Sequence, residues 1–167
     1  MKIILFQPQI PQNTGNIVRT CSTTGSGLIL VRPLGFSTKN RHLKRAGLDY
    51  WEGVDVEEID DLNLYLEQTE NSFFFFSSKS KKLYTEAPYE TDSFLIFGSE
   101  TEGLPDLFWK RWPDRFYTIP MAPGKRCLNL ATSAAIVLFE AQRQLQFPFF
   151  KNKETTALTN AEVVKGT

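Results

Sequence analysis

Apolar residues in this chain fall in short uniform runs separated by longer stretches of helical spacing. Lys2–Phe6, Leu28–Val31, Phe73–Phe76 and Phe94–Phe97 carry almost no polar alternation. That is the pattern of strands buried on both faces of a parallel sheet. Val54–Val56 and Phe116–Ile119 read as shorter strands. Between them, Ile17, Val18 and Cys21 recur at helical spacing, with Asn13 or Thr14 able to cap and Gly25 to close. Leu62, Tyr65 and Leu66 mark a second helix, capped by Asp60 or Asp61, and Pro105–Trp112 a third. The longest helix runs from about Leu128 to Leu145, with Ile136, Val137 and Phe139 in its middle and Pro148 as its stop. Asn40–Ala46 reads as a basic helical turn ended by Gly47, and Ser77–Glu90 as polar loop. Strand, helix and strand within about 30 residues make a βαβ unit. Their alternation, without repeat or linker, predicts one α/β domain over residues 1–150: a mostly parallel sheet flanked by helices. Residues 151–167 carry little apolar content and read as a frayed polar tail.

Composition narrows the chemistry. No apolar run approaches membrane-spanning length, and the opening Met1–Phe6 reaches Gln7–Pro8 too soon for a signal segment. A cytoplasmic protein without a membrane partner is expected. Cys21 and Cys127 form no CxxC, and His42 is the sole histidine, so neither a metal site nor a Ser-His or Cys-His pair is expected. Charge balances to zero but is uneven, with basic clusters at Lys39–Arg45, Lys79–Lys82 and Lys125–Arg126. This argues against indiscriminate polyanion binding while allowing a basic face. Solvated helix surfaces explain each cluster equally well.

Two loops stand out. Gly98–Pro105 follows the Phe94–Phe97 strand, and Pro120–Asn129 follows Phe116–Ile119. Loops at the carboxyl ends of parallel strands are where open α/β sheets bind ligands. Neither GxxxxGK[ST] nor GxGxxG is present, which removes the main support for nucleoside triphosphate or dinucleotide binding. Gly98 and Gly103 let the backbone approach a ligand or take positive φ. From the glycines alone, a plain turn is the better reading.

Three segments together resemble the SPOUT class of RNA methyltransferases, and within it the tRNA wobble-position ribose 2′-O-methyltransferases. They are Ile10-Pro11-Gln12-Asn13-Thr14-Gly15-Asn16-Ile17-Val18-Arg19, the Phe97–Pro105 loop, and Ile119-Pro120-Met121 through Asn129 and Ser133 to Glu140-Ala141. Arg45–Tyr50 also looks like that branch. The resemblance implies an α/β trefoil knot, S-adenosylmethionine as cofactor, a homodimer, and a tRNA anticodon stem-loop as partner. A ribosomal-RNA ribose methyltransferase, or a non-catalytic RNA- or adenosine-binding module, is the alternative.

The resemblance implies cofactor contacts at Phe76, Ser77, Gly98, Ser99, Glu100, Gly103, Ile119, Met121, Cys127 and Leu128. It makes Arg19 the catalytic residue, near the cofactor loops of the other subunit, with Asn129 and Ser133 orienting the reacting groups. RNA would meet Asn13, Arg41, Lys44, Arg45, Lys125 and Arg126. Core packing is the plain alternative for Phe76 and Ile119, a helix-opening charge for Glu100, and capping or packing for Asn129 and Ser133. Relatives often have Arg or Lys at Glu102, Ser at Cys127 and Tyr at Phe139. A guanidinium, with a pKa above ~12, is a poor base, so Arg19 is expected to grip phosphate and favour a developing alkoxide.

Overall fold

In the computed structural model, which describes residues 1–37, 53–125 and 127–150, six parallel strands form a single sheet. They are β1 (Lys2–Phe6), β2 (Gly27–Val31), β3 (Val56–Ile59), β4 (Phe73–Phe76), β5 (Phe94–Phe97) and β6 (Phe116–Tyr117). The helices are α1 (Pro11–Thr24), α2 (Leu62–Gln68), α3 (Asp106–Arg111) and α4 (Leu130–Gln144). The strand order is β3-β2-β1-β5-β4-β6. Ile4 of β1 is in register with Ile29 on one side and Ile96 on the other.

Each uniform run splits between two cores because successive strand residues face opposite ways. Ile3, Leu5, Phe74, Phe76, Leu95 and Phe97 turn toward α1 and α4, where Ile17, Val18, Val137 and Leu138 are fully buried. Ile4, Phe73, Phe75 and Ile96 turn the other way, against Leu62 and Leu66 of α2 and Phe108 of α3. Aromatic stacking fills that second layer: Phe75 lies 4.7 Å from Phe116 and 5.4 Å from Phe108, centroid to centroid.

Several boundaries differ from expectation. α1 begins at Pro11 with Ile10 as its N-cap, so Asn13 and Thr14 lie inside the helix and cap nothing. Proline favours a first helical position, because its missing N–H is one that no intrahelical acceptor would serve. β3 starts two residues later than the predicted Val54, and β6 stops at Tyr117. The polar loop after β4 contains a 3-10 turn, Tyr84–Glu86, and buries Ala87 and Tyr89. α4 ends at Gln144, ahead of Pro148: Gln146 and Phe147 take positive φ, and Pro148 opens a new helical turn. Gly25 closes α1 in the left-handed conformation and Asp61 caps α2 through Leu64 N–H, both as the sequence predicts. Asn40–Ala46, Arg45–Tyr50 and the 151–167 tail lie outside the described residues.

Strand order places a reversal between β1 and β5. From β1 the chain builds outward through β2 to β3, whereas β4, β5 and β6 occupy the other half. Loops leaving β1 and β5 therefore diverge, and a crevice opens at their carboxyl ends.

Candidate functional site

A cavity of about 660 Å³ occupies that crevice. The loop after β5 forms one wall. Ser99 and Gly103 exchange backbone hydrogen bonds at 3.1 and 3.0 Å, closing a tight turn in which Gly103 adopts φ +73°. Gly98 is needed for a different reason. A Cβ placed there would stand 2.2 Å from the Gly103 carbonyl carbon and 2.5 Å from Leu104 N. Its bare backbone thus makes room for the loop's own return.

Glu100 of this loop is tied to α1. Its Oε2 accepts from Gln9 N–H at 2.9 Å, and its Oε1 accepts from Ile10 N–H at 3.2 Å and Asn13 Nδ2 at 2.9 Å. A carboxylate here serves N–H groups ahead of the first turn and suits the positive end of the helix dipole. The helix-opening role is therefore real, but it belongs to α1 instead of the adjacent α3.

Asn13, only 5% exposed, passes the connection on. Its Oδ1 accepts from Asn129 Nδ2 at 2.9 Å. Asn129 in turn caps α4, its Oδ1 accepting from Ala131 N–H at 2.9 Å and Thr132 N–H at 3.3 Å. Glu100, Asn13 and Asn129 thus form one chain through all three diverging segments. Asn13 was expected on an RNA-facing surface; it is an interior strut whose amide is spent on Glu100 and Asn129.

The remaining walls come from the loops after β4 and β6. Phe76 stacks on Phe97 at 5.1 Å while one edge reaches the cavity, so it both packs and lines. Ile119 does likewise, half-buried against the core of α1 and α4. Ser77 and Met121 add flanking surface, and Leu128, 39% exposed, holds an apolar side chain over the opening. The Cys127 thiol donates to Ser78 Oγ at 3.2 Å, linking the β6–α4 segment to the loop after β4.

All ten residues expected at a cofactor (Phe76, Ser77, Gly98, Ser99, Glu100, Gly103, Ile119, Met121, Cys127 and Leu128) line this one cavity. Asn13, Asn129 and Ser133 line it as well. Arg19 does not: it is exposed on α1, outside the cavity of its own chain. Lys125 is exposed after β6. Arg41, Lys44, Arg45 and Arg126 lie outside the described residues. Sequence reasoning missed Ile10, Lys79 and Trp109, which also line the cavity. Trp109 stacks on Phe116 at 3.6 Å, and its spacing along α3 from Phe108 gave no sign of a ligand-facing edge.

The model of the SpoU rRNA Methylase family matches residues 1–139. A Geobacillus stearothermophilus protein is 46% identical over 151 residues, covering 88% of this chain and 96% of its own. The tRNA (cytidine(34)-2′-O)-methyltransferase of Escherichia coli K12 is 37% identical over 150 residues, covering 89% of this chain and 96% of its own. The Geobacillus protein carries a provisional form of the same name. A solved structure concerned with 2-OH methylation of C/U34 on tRNA superposes with a TM-score of 0.81 at 40% identity, covering 87% of this chain and 95% of that one.

Proposed function

The chain belongs to the SpoU rRNA methylase family, and from that premise we propose that it transfers a methyl group from S-adenosylmethionine to the ribose 2′-hydroxyl of the wobble nucleotide in a tRNA anticodon loop. The observation that carries this reading is convergence: residues from three separate sequence motifs line a single cavity. Relatives named for methylation at position 34 of tRNA align over nearly the whole chain.

The cavity suits the cofactor. Its volume falls within the ordinary range for small-molecule sites. Leu128 and Met121 offer apolar surface that the protein leaves partly uncovered, as an adenine face requires. A Cβ built at Gly103 would meet no atom within 4 Å, so the backbone there is open to close approach. When bound, S-adenosylmethionine supplies an activated sulfonium methyl, and holding the ribose oxygen in line provides much of the acceleration.

Arg19 then needs a second copy of the chain. Exposed on α1 and absent from its own cavity, it reaches a reacting nucleotide as part of a homodimer, gripping phosphate and favouring the developing alkoxide. Phe139 (46% exposed) on α4 and Phe150 (60% exposed) beyond it offer apolar surface for that pairing. The Ser133 hydroxyl, at the cavity wall, orients the acceptor, whereas Asn129 acts by holding α4 in place. The family resemblance supports a trefoil knot in the segment from β6 to α4, which hydrogen-bonds through Thr118 to Lys82 and Tyr84. The setting is the cytoplasm, and among the described residues no helix is long and apolar enough to cross a membrane.

Labelled methyl transfer to bulk tRNA and to ribosomal RNA tests the reading, alongside a cofactor saturation curve and a mass by light scattering. Transfer to tRNA position 34 by a dimer is expected. Label entering ribosomal RNA alone, or cofactor binding with no transfer to either RNA, would overturn it.

A further inference from the structure

Next to the large cavity lies a second, of about 450 Å³. The two share Ser78, Thr118, Ile119, Met121 and Cys127, so they are neighbours across the Cys127–Ser78 hydrogen bond. The first has Ile10, Phe76, Phe97 and Trp109 in its walls; the second adds Ser80, Lys125 and the apolar Leu83, Pro120 and Ala122 to the shared residues.

Lys125 in that lining, with Lys79 and Lys81 nearby, forms no ion pair among the described residues, whereas the neighbouring Lys82 pairs with Asp114. Lys2, Arg32, Lys82, Arg111 and Arg143 each lie within ion-pair distance of a carboxylate. Among the described residues, Lys79, Lys81 and Lys125 have no such partner, and all three are exposed. Lys79 lines the first cavity and Lys125 the second. Lys81 sits between Ser80 and Leu83, both of which line the second.

The loop that carries two of them is anchored. Ser80 Oγ donates to the Phe116 carbonyl at 2.7 Å, and Lys82 Nζ donates to the Asp114 carbonyl at 2.9 Å while standing over the Tyr117 ring. Thr118 N–H donates to the Lys82 carbonyl at 2.8 Å, and Tyr84 N–H to the Thr118 carbonyl at 2.9 Å. Residues 80 and 82 are thus fastened to the sheet edge, which presents Lys79 and Lys81 on a fixed support. Like charges held near one another repel, and an anion placed among them relieves that repulsion.

We propose that this cavity, with Lys125 in its wall and Lys79 and Lys81 on the loop beside it, seats the phosphate backbone of the RNA strand flanking the nucleotide that enters the larger cavity. The inference rests on the RNA methyltransferase reading above and adds where the strand lies. Phosphate contacts of this kind fix register without reading sequence. Lys79 and Lys81 hold the backbone on the β4 side and Lys125 on the β6 side, so the target ribose is delivered past Cys127 toward the cofactor wall.

A triple variant, Lys79→Ala/Lys81→Ala/Lys125→Ala, tests this against wild type and against Lys110→Ala, an exposed cation of α3 without a carboxylate partner among the described residues. Anticodon stem-loop RNA affinity is measured across a salt series, S-adenosylmethionine affinity by calorimetry, and KM and kcat by methyl transfer. The triple variant should bind RNA at least about tenfold more weakly at low salt. Its slope of log K against log salt should be shallower by about 2, at ~0.7 for each phosphate left unneutralised. Its KM for RNA should rise more than its kcat falls, while the Lys110→Ala slope stays at the wild-type value. Cofactor affinity is read in a Lys81→Ala/Lys125→Ala double variant, which spares the Lys79 of the cofactor cavity, and should stay at the wild-type value. An unchanged RNA affinity and slope in the folded triple variant overturns the proposal. So does a loss of cofactor affinity in the double variant with RNA binding intact, which would assign the second cavity to the cofactor's tail. If wild type methylates no RNA, the functional reading fails, yet the binding series, which needs no turnover, still decides where the strand lies.

Discussion

Asn129 donates its side-chain amide to the side-chain oxygen of Asn13 across 2.9 Å of space and 116 residues of sequence. With Glu100 on the far side of Asn13, this hydrogen bond joins the first turn of α1, the loop after β5 and the N-cap of α4. The shape of the site therefore depends on a polar strut whose three members all stand in the cavity wall.

Removing the strut's centre should cost stability and cofactor affinity together. Asn13→Ala leaves Glu100 Oε1 and Asn129 Nδ2 short of a partner in a part-buried setting. A loss of about 1–3 kcal/mol is expected by urea denaturation. Asn13→Asp should be worse at neutral pH, because it sets a second carboxylate against Glu100, and should recover in part when acid protonates one of the pair. Equal stability of Asn13→Asp and wild type at pH 7 would show that the network does not hold the loops.

Gly98 and Gly103 should respond differently to alanine. At Gly98 the new Cβ meets backbone at 2.2 Å, so the turn itself must open and the melting temperature should fall together with cofactor binding. At Gly103 there is space but φ is +73°, and the strain of a left-handed residue costs about 1–2 kcal/mol. Melting curves and calorimetry on the two variants separate the cases. A Gly98→Ala protein of wild-type stability would contradict the geometry.

Arg19 lies on the exposed side of α1, while Ile17, Val18 and Cys21 are fully buried, so its replacement should spare the fold. Arg19→Ala should lose about 10²-fold or more in methyl transfer, as loss of one oxyanion-type donor does. Arg19→Lys keeps the charge without the bidentate fork and should retain partial activity. Both should bind cofactor normally, and raising the pH should not selectively rescue alanine. Wild-type turnover by Arg19→Ala would remove Arg19 from the mechanism.

The two thiols should be distinguishable by a reagent. Cys21 is buried, and that burial pushes its thiol up to about 12, so it stays protonated and shielded. Cys127 is exposed at the cavity rim. One thiol should react in the native protein and both in denaturant. S-adenosylmethionine should slow the native reaction, and a bulky adduct at Cys127 should weaken cofactor binding. Protection of neither thiol by the cofactor would separate Cys127 from the site.

Acid should act through Glu140. Its carboxylate accepts from Arg143 Nε and Nη2, both at 2.8 Å, and from Gln144 Nε2 at 2.9 Å, and the Arg143 hydrogen bonds hold its pKa below 4.5. A lowered carboxylate contributes stability that is complete above its ordinary value and is lost as pH falls through the lowered one. Glu140→Gln should therefore be less stable than wild type at neutral pH, with the gap closing below pH 4.5. A gap independent of pH would assign the effect to packing.

Much of the fold was legible because uniform apolar runs such as Phe73–Phe76 admit little besides a strand covered on both faces. Asp61 and Gly25 were legible too, since caps are local. Asn13 was misread for the same reason. It looks like a cap from its neighbours alone, whereas its place is decided by Glu100 and Asn129, which are 87 and 116 residues away. Gly98 illustrates the same limit: the atom that forbids a side chain there belongs to a turn the chain makes five residues later. Local chemistry reveals elements, but which residues serve a ligand and which serve one another is decided by how distant loops meet.

The long reach of the Asn13–Asn129 hydrogen bond has a consequence for biosynthesis. At ~5–20 residues per second, a ribosome that has made Asn13 works on for roughly 6–23 s before Asn129 is added. Throughout that interval β1 and α1 lack their final brace, and the loop after β5 lacks it from the moment it is made. The pocket is therefore a late product of translation, and chains halted before α4 should emerge with a sheet but no binding site.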